Sequence, residues 1–344
     1  MASVSAPVTG RGLVVVAGTR DCAGPNLTVV AVNAKTGQPA WQHTVAAQDP
    51  CGGSALWLAG DVVVAGGPYP DLVGSVAPSS GACDHTVAAR STATGLDLAT
   101  GKPRWQAPSK AGEVLAASPG IVIAASTSHA CLVGLDPATG KIRWTVAPPV
   151  IPFDVGIAGN IAVGHDIGAT SETAIGLDWR TGKTRWTTAL PSTSGGGWPL
   201  VVGDVIVATS GDQDFTLTGL NTATGRQLWQ DPVQAYQIWT TIGPGIVLIT
   251  RLTDPDRDQA TIESHDPRTG VRRWQSGDIG GVGIPVTDGA TIVTYSQRDA
   301  KGFSATDGHQ LWTVSGPYQA AAVTADGVYL AQPKTPENEP GGGG

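Results

Sequence analysis

Short runs of apolar and β-branched residues, punctuated by Gly, Asp, Asn and Pro, fill this chain, and no window sustains a helical period. Residues 197 to 232 show the unit: Trp198-Pro199-Leu200-Val201-Val202, Asp204-Val205-Ile206-Val207-Ala208, Phe215-Thr216-Leu217-Thr218-Gly219-Leu220 and Gln227-Leu228-Trp229-Gln230. These runs, A to D in chain order, predict four strands joined by tight turns and an all-β fold.

Where run C ends and run D begins, the motif Gly-Leu-Asp-x-x-Thr-Gly-Lys-x-x-Trp recurs at Gly95 to Trp105, Gly134 to Trp144 and Gly176 to Trp186. Looser copies end at Trp41, Trp229 and Trp274, and a worn one at Trp312, where Ser304 stands in place of the Asp or Asn. The intervals between successive motif tryptophans are 64, 39, 42, 43, 45 and 38 residues, the period of a four-stranded propeller blade. The motif has a mechanical reading. Asp or Asn opens a turn by bonding the backbone two residues on, Gly supplies the positive φ, and the Trp offers an apolar face and an indole N–H to the next blade. Trp41, Trp105, Trp144, Trp186, Trp229, Trp274 and Trp312 are therefore expected to be structural staples between blades.

Seven units end near Val314, and residues 319–324 and 327–331 read as a further A and B pair. The expectation is a β-propeller with eight positions, the last incomplete; seven blades are the alternative. Residues 1–332 then form one domain, and the Pro- and Gly-rich stretch 333–344 reads as a flexible tail.

On these motifs, residues 8 to 332 resemble the pyrroloquinoline-quinone-type propellers, a superfamily that includes quinoprotein alcohol dehydrogenases and BamB-type outer-membrane assembly lipoproteins. The resemblance implies the blade architecture and leaves activity open, because the repeat specifies the blade and not a cofactor.

Charge narrows the function. Twenty-one basic and 28 acidic residues give −7, and charged residues are only 14% of the chain, which argues against nucleic acid as a partner. No apolar run reaches the roughly 20 residues of a membrane span. The chain as given shows no signal peptide and reads as a mature region of a longer secreted or anchored precursor. Cys22, Cys51, Cys83 and Cys131 fall in or beside loops that leave one face of the disc, which suggests disulfides, an oxidising compartment and the pairing Cys22–Cys51 and Cys83–Cys131.

Two features are candidates for recognition. About twenty extra residues between Trp41 and Trp105 form an insertion around residues 66–90 that contains Tyr69, Asp71 and Leu72. On the opposite face, Arg104, Arg143 and Arg185, with Lys102, Lys141 and Lys183, recur as a partial basic rim, while Asp212, Asp214, Asp254, Asp256, Asp258 and Glu263 are placed in or beside the B-to-C loops. Asp254-Pro255-Asp256-Arg257-Asp258 begins like a calcium loop but has Gln259 where the loop needs Gly and His265 where it needs Glu, so no metal site is expected. His129, His165 and Asp166 form no spaced catalytic set, and no catalytic residue is assigned.

The reading is a monomeric, non-catalytic, extracytoplasmic propeller that binds a protein or cell-envelope partner without a cofactor. A ligand-sensing receptor ectodomain and a quinone-dependent dehydrogenase, which would require the quinone with calcium, are the alternatives.

Overall fold

The computed structural model describes residues 3–5, 7–19, 26–46, 55–66, 93–108, 111–126, 131–147, 154–167, 172–190, 197–210, 214–235, 237–254, 259–279, 285–318, 320–324 and 327–332. Every regular element among them is a β-strand. The strands assemble in chain order into antiparallel sheets, as in blade four, where Asp154–Ala158, Ile161–Ile167, Glu172–Asp178 and Thr184–Leu190 are strands A to D. Six sheets share this four-stranded plan. In blade one the A position is divided between Ser3–Val4 and Val8–Gly10, both paired with Leu13–Thr19. The eighth sheet holds only Ala320–Thr324 and Gly327–Ala331. Seven blades are thus complete, and a two-stranded eighth position follows them.

The A strands of consecutive blades neighbour one another from Val8–Gly10 through to Ala320–Thr324, which makes them the inner wall of the ring. B strands such as Ile121–Ser126 and Val205–Ser210 are buried along their whole length, because each sheet has a neighbour on both faces. D strands form the outer edge, and Thr184–Leu190 alternates between exposed and covered positions. The core is accordingly a series of apolar wedges between adjacent blades.

Trp186 shows what fixes each wedge. It pairs across strands with Gly176, where a Cβ would lie 2.1 Å from the indole, so the ring lies directly on the glycine backbone. Its other face meets Gly225 in the C-to-D turn of blade five, where φ is +68° and a Cβ would lie 2.4 Å from the ring. The indole N–H donates to the Thr222 carbonyl at 2.9 Å. Trp41, Trp105, Trp144, Trp229 and Trp274 donate in the same way to Leu98, Pro137, Trp179, Pro267 and Ala305, at 2.7 to 3.0 Å. Each acceptor directly follows the turn Asp, Asn or Ser of the next blade. The expected staple is present in six of the seven copies, and the first Gly of the motif, which the turn did not require, is explained by the indole that covers it.

Every C-to-D pairing also contains a one-residue register shift just before the Trp; in blade four, Gly176 pairs with Trp186 but Leu177 with Thr184, leaving Arg185 as the extra residue. This bulge turns the Trp toward the following blade while the residues before it face the preceding one.

Trp312 differs. It packs on Gly302 of its own blade but has no hydrogen-bond acceptor among the described residues, because the eighth position offers no C-to-D turn among them. The matching carbonyl of blade one, Ala34 O, instead accepts from the Tyr329 hydroxyl at 2.7 Å. A tyrosine from the terminal hairpin thus takes the place of an eighth staple and links the last sheet to the first.

Trp186→Phe keeps the ring face but leaves the Thr222 carbonyl without its indole donor, and is expected to cost about 1–2 kcal/mol in urea unfolding. Trp312→Phe is expected to cost less than about 0.5 kcal/mol, because no such bond is lost. Equal costs would show that the indole N–H bond contributes nothing to the staple.

Candidate functional site

Tyr69, Asp71 and Leu72, together with Cys22, Cys51 and Cys83, lie outside the described residues, as do residues 255–258 of the Asp-rich segment and His129. Cys131 is fully buried, and no cysteine is free among the described residues. Arg104, Arg143 and Arg185 are the bulge residues of their blades, and each is paired. Arg104 meets Asp97 at 2.5 Å and Asp61 at 2.6 Å, Arg143 meets Asp136 at 2.6 Å, and Arg185 meets Asp178 at 2.5 Å. Arg273 repeats the pattern with Asp266 at 2.6 Å. The Arg104 hydrogen bond holds the Asp97 carboxyl at about 2.

The pairing follows a rule inside the chain. Where the turn residue is Asp, the residue before the Trp is Arg; where it is Asn33, Asn221 or Ser304, that residue is Ala40, Leu228 or Leu311. One carboxylate oxygen, as at Asp136, accepts from the Ala138 and Thr139 backbone N–H groups and the Thr139 hydroxyl, and the other takes the guanidinium. Asn can cap the turn but brings no negative charge, so Arg has no partner there. The basic rim is therefore largely neutralised turn by turn.

The wedge between blades five and six departs from the repeat. Strand C of blade six, Gln259–His265, carries Glu263 and His265 on the face toward blade five, and both are 2% exposed. The position of His265 is Val32, Leu96, Leu135, Leu177, Leu220 or Phe303 in the other copies, and that of Glu263 is Val30, Thr94, Val133, Ile175, Thr218 or Lys301. Arg251, on the neighbouring strand Ile246–Asp254, stands where Gly18, Ser126 and Ser210 stand in blades one, three and five. Glu263 was expected beside a loop; it lies within a strand, because the register Ile249↔Glu263 places it in the sheet interior.

Four groups converge here. Glu263 accepts from Arg251 at 2.5 Å, from the His265 ring Nε2 at 3.1 Å and from Arg272 at 3.4 Å. His265 Nδ1 lies 2.9 Å from the Gly270 carbonyl, so each ring nitrogen has a partner within hydrogen-bond distance. Arg251 also donates to the Gln234 carbonyl, while its Nε is buried without a partner among the described residues. Burial pushes the Glu263 carboxyl up, but the His265 and Arg251 hydrogen bonds and charges outweigh it and hold the group at about 2. A cavity of about 310 Å³ opens beside the cluster, lined by these four side chains and by Asp231, Pro232, Val233 and Gln234 from strand D of blade five. The arrangement can hold a small polar ligand against fixed charges.

The family model for outer membrane protein assembly factor BamB matches residues 89–151 and 151–252, a little under half the chain. Over that stretch the chain is similar to the PQQ-like repeat family, and its fold is a β-propeller. Its fold resembles BamB from Moraxella catarrhalis, at 19% identity and a TM-score of 0.56, over 96% of this chain and 93% of that one. It also resembles a europium-containing methanol dehydrogenase (12% identity, TM-score 0.57, 94% of this chain and 81% of that). A third likeness is to dihydro-heme d1 dehydrogenase NirN in complex with DHE (14% identity, TM-score 0.60, 91% and 67%). No curated protein matches the sequence. The PQQ-like repeat accounts for the staples and turns; the charged wedge is a departure from the repeat within this chain.

In the sequence His265 stands before the turn residue Asp266 of its motif copy and at the closing position of the calcium-like loop; the signal of its role is that four of the other copies have Leu at this position.

Removing one member of a buried ion cluster strands the others, so Glu263→Val alone is expected to lower stability by about 3–5 kcal/mol. Substituting Arg251→Ser, Glu263→Val and His265→Leu together installs residues used at these positions elsewhere in the chain, and is expected to be neutral or stabilising in urea unfolding. A triple variant less stable than Glu263→Val would show that the cluster is retained for stability. The depressed Glu263 pKa also sets a sign: its contribution is complete above its ordinary value of 4.5 and is lost as pH falls toward about 2. Unfolding free energy should therefore fall less steeply across this acid range in Glu263→Gln than in the parent; parallel curves would show that Glu263 does not drive the acid loss.

Proposed function

We propose that this chain is a non-catalytic, extracytoplasmic propeller that holds a protein or cell-envelope partner against one face of its ring. The observation that carries the reading is coverage: the chain and BamB overlay across nearly the full length of both, whereas each of the two dehydrogenases extends further beyond the shared fold. The BamB family model over 89–252 supports the same assignment. In this reading the insertion with Tyr69, Asp71 and Leu72 forms the contact, with the rim of Arg104, Arg143 and Arg185 as the alternative surface. The pairs Cys22–Cys51 and Cys83–Cys131 secure the neighbouring loops in an oxidising compartment, and the protein acts as a monomer.

A second reading, a ligand-sensing ectodomain, is favoured by the charged wedge, a cavity that a purely structural ring does not need. For the dehydrogenase reading, a bound quinone would need a cation beside it. Among the described residues no group of three or more His, Cys, Asp or Glu is placed to hold one.

The test is a pull-down from envelope extract with the parent and with a variant whose 66–90 insertion is replaced by a short Gly-Ser linker. The proposal expects one protein to be recovered with the parent and lost with the variant. No recovery with either would overturn the scaffold reading. Dye reduction on addition of quinone, calcium and an alcohol would replace it with the enzymatic one.

A further inference from the structure

We infer that the wedge between blades five and six is a binding site for a small oxyanion, a carboxylate or phosphate group carried by a low-molecular-weight ligand. The inference does not rest on the scaffold reading, since a chain that captured no envelope partner would still have this site.

The first ground is charge. Arg251 and Arg272 bring two guanidiniums to the cavity wall of a protein whose net charge is −7, and the Glu263 carboxylate is already engaged by Arg251. Guanidinium groups partly removed from water attract anions more strongly than the same groups would on an open surface.

The second ground is which atoms remain unused. Glu263 and His265 are committed to each other, to Arg251 and to the Gly270 carbonyl. Arg272 gives one nitrogen to Glu263 and Gln275, at 3.4 and 3.0 Å, and its side chain is 51% exposed at the cavity wall. Arg251 holds a buried Nε–H with no acceptor among the described residues, a group that is costly to leave unpaired. The unused donors are thus guanidinium edges, whose planar geometry suits the paired oxygens of carboxylate and phosphate. Glu263, anchored from three sides, acts as the positioning residue that fixes both arginines.

The third ground is the internal comparison. The other copies of the repeat place Val, Leu, Ile, Thr, Lys or Phe at the Glu263 and His265 positions, and the staple on this side, Trp229 on the Pro267 carbonyl, is intact. The blade contact therefore does not need the ions. About 310 Å³ accommodates a ligand of metabolite size.

The test is isothermal titration with succinate and, separately, inorganic phosphate, at constant ionic strength set with sodium chloride. The parent is expected to bind at least one with a dissociation constant below about 1 mM. Arg272→Gln, a half-exposed substitution that leaves the buried cluster in place, should weaken binding roughly tenfold, the effect of losing one charge-assisted contact. Asp231→Asn should tighten it, because a repelling carboxylate is removed. Binding of succinate alone assigns a carboxylate ligand, phosphate alone a phosphorylated one, and both a general oxyanion site. No saturable binding of either up to about 10 mM, or an affinity unchanged by Arg272→Gln, would overturn the inference. Were the Arg272 variant to unfold, the sign of the Asp231→Asn change would decide in its place.

Discussion

An indole pressed between its own sheet and a turn glycine of the next blade holds this ring together. The residue opposite the tryptophan on the paired strand is Gly in four of the six staples and Ala31 or Ser264 in the others, a glycine stands in the turn of the next blade, and the N–H reaches the carbonyl beside that turn. The interaction works only if all three elements are in register, so one residue type fixes the hairpin of its own blade and the angle to the following one. A four-stranded sheet has two apolar faces, and closing the ring is how both become covered. The bulge before each Trp is part of this mechanism: without the extra residue the indole would face the preceding blade.

The same repetition makes departures informative. Tyr329 takes the carbonyl that an eighth indole would have used, which links a two-stranded sheet to a full blade through one hydroxyl. In the wedge between blades five and six, four charged side chains converge, whereas the other copies hold at most single charges at these positions, Asp166 in blade four and Lys301 in blade seven. Desolvating such groups is costly, and apolar packing that performs the same structural task is present in the neighbouring wedges. A cluster of this kind is better explained by what it can bind than by what it supports. Both the scaffold and the sensor readings use the same property, a rigid ring on which a few residues can change without disturbing the blades.

Much of the fold was legible from local chemistry. Asp136 and Gly140 announce a turn, Trp144 a strand that follows it, and the spacing of seven such sets announces the ring. The roles of Gly176 and Arg185 were not legible. The first is defined by the indole lying across it from the paired strand, and the second by a bulge that brings it to Asp178, so neither follows from propensity. Arg185 read as rim charge is in fact the counter-ion of its own turn. Glu263 shows the same limit, since a carboxylate near a loop in sequence became a buried one once the register was set.

The sequence alone determined the blade, its period and the residues that turn and staple it, because these depend on φ preferences, side-chain hydrogen bonds and fixed offsets within some forty residues. Only the tertiary structure decided which carbonyl each indole meets, how the ends of the chain are joined, and that Arg251, Glu263, His265 and Arg272 share one cavity with Asp231 of the preceding blade. Those pairings join side chains on different strands and blades, and strand register together with the bulge, rather than residue type, sets the direction in which each side chain points.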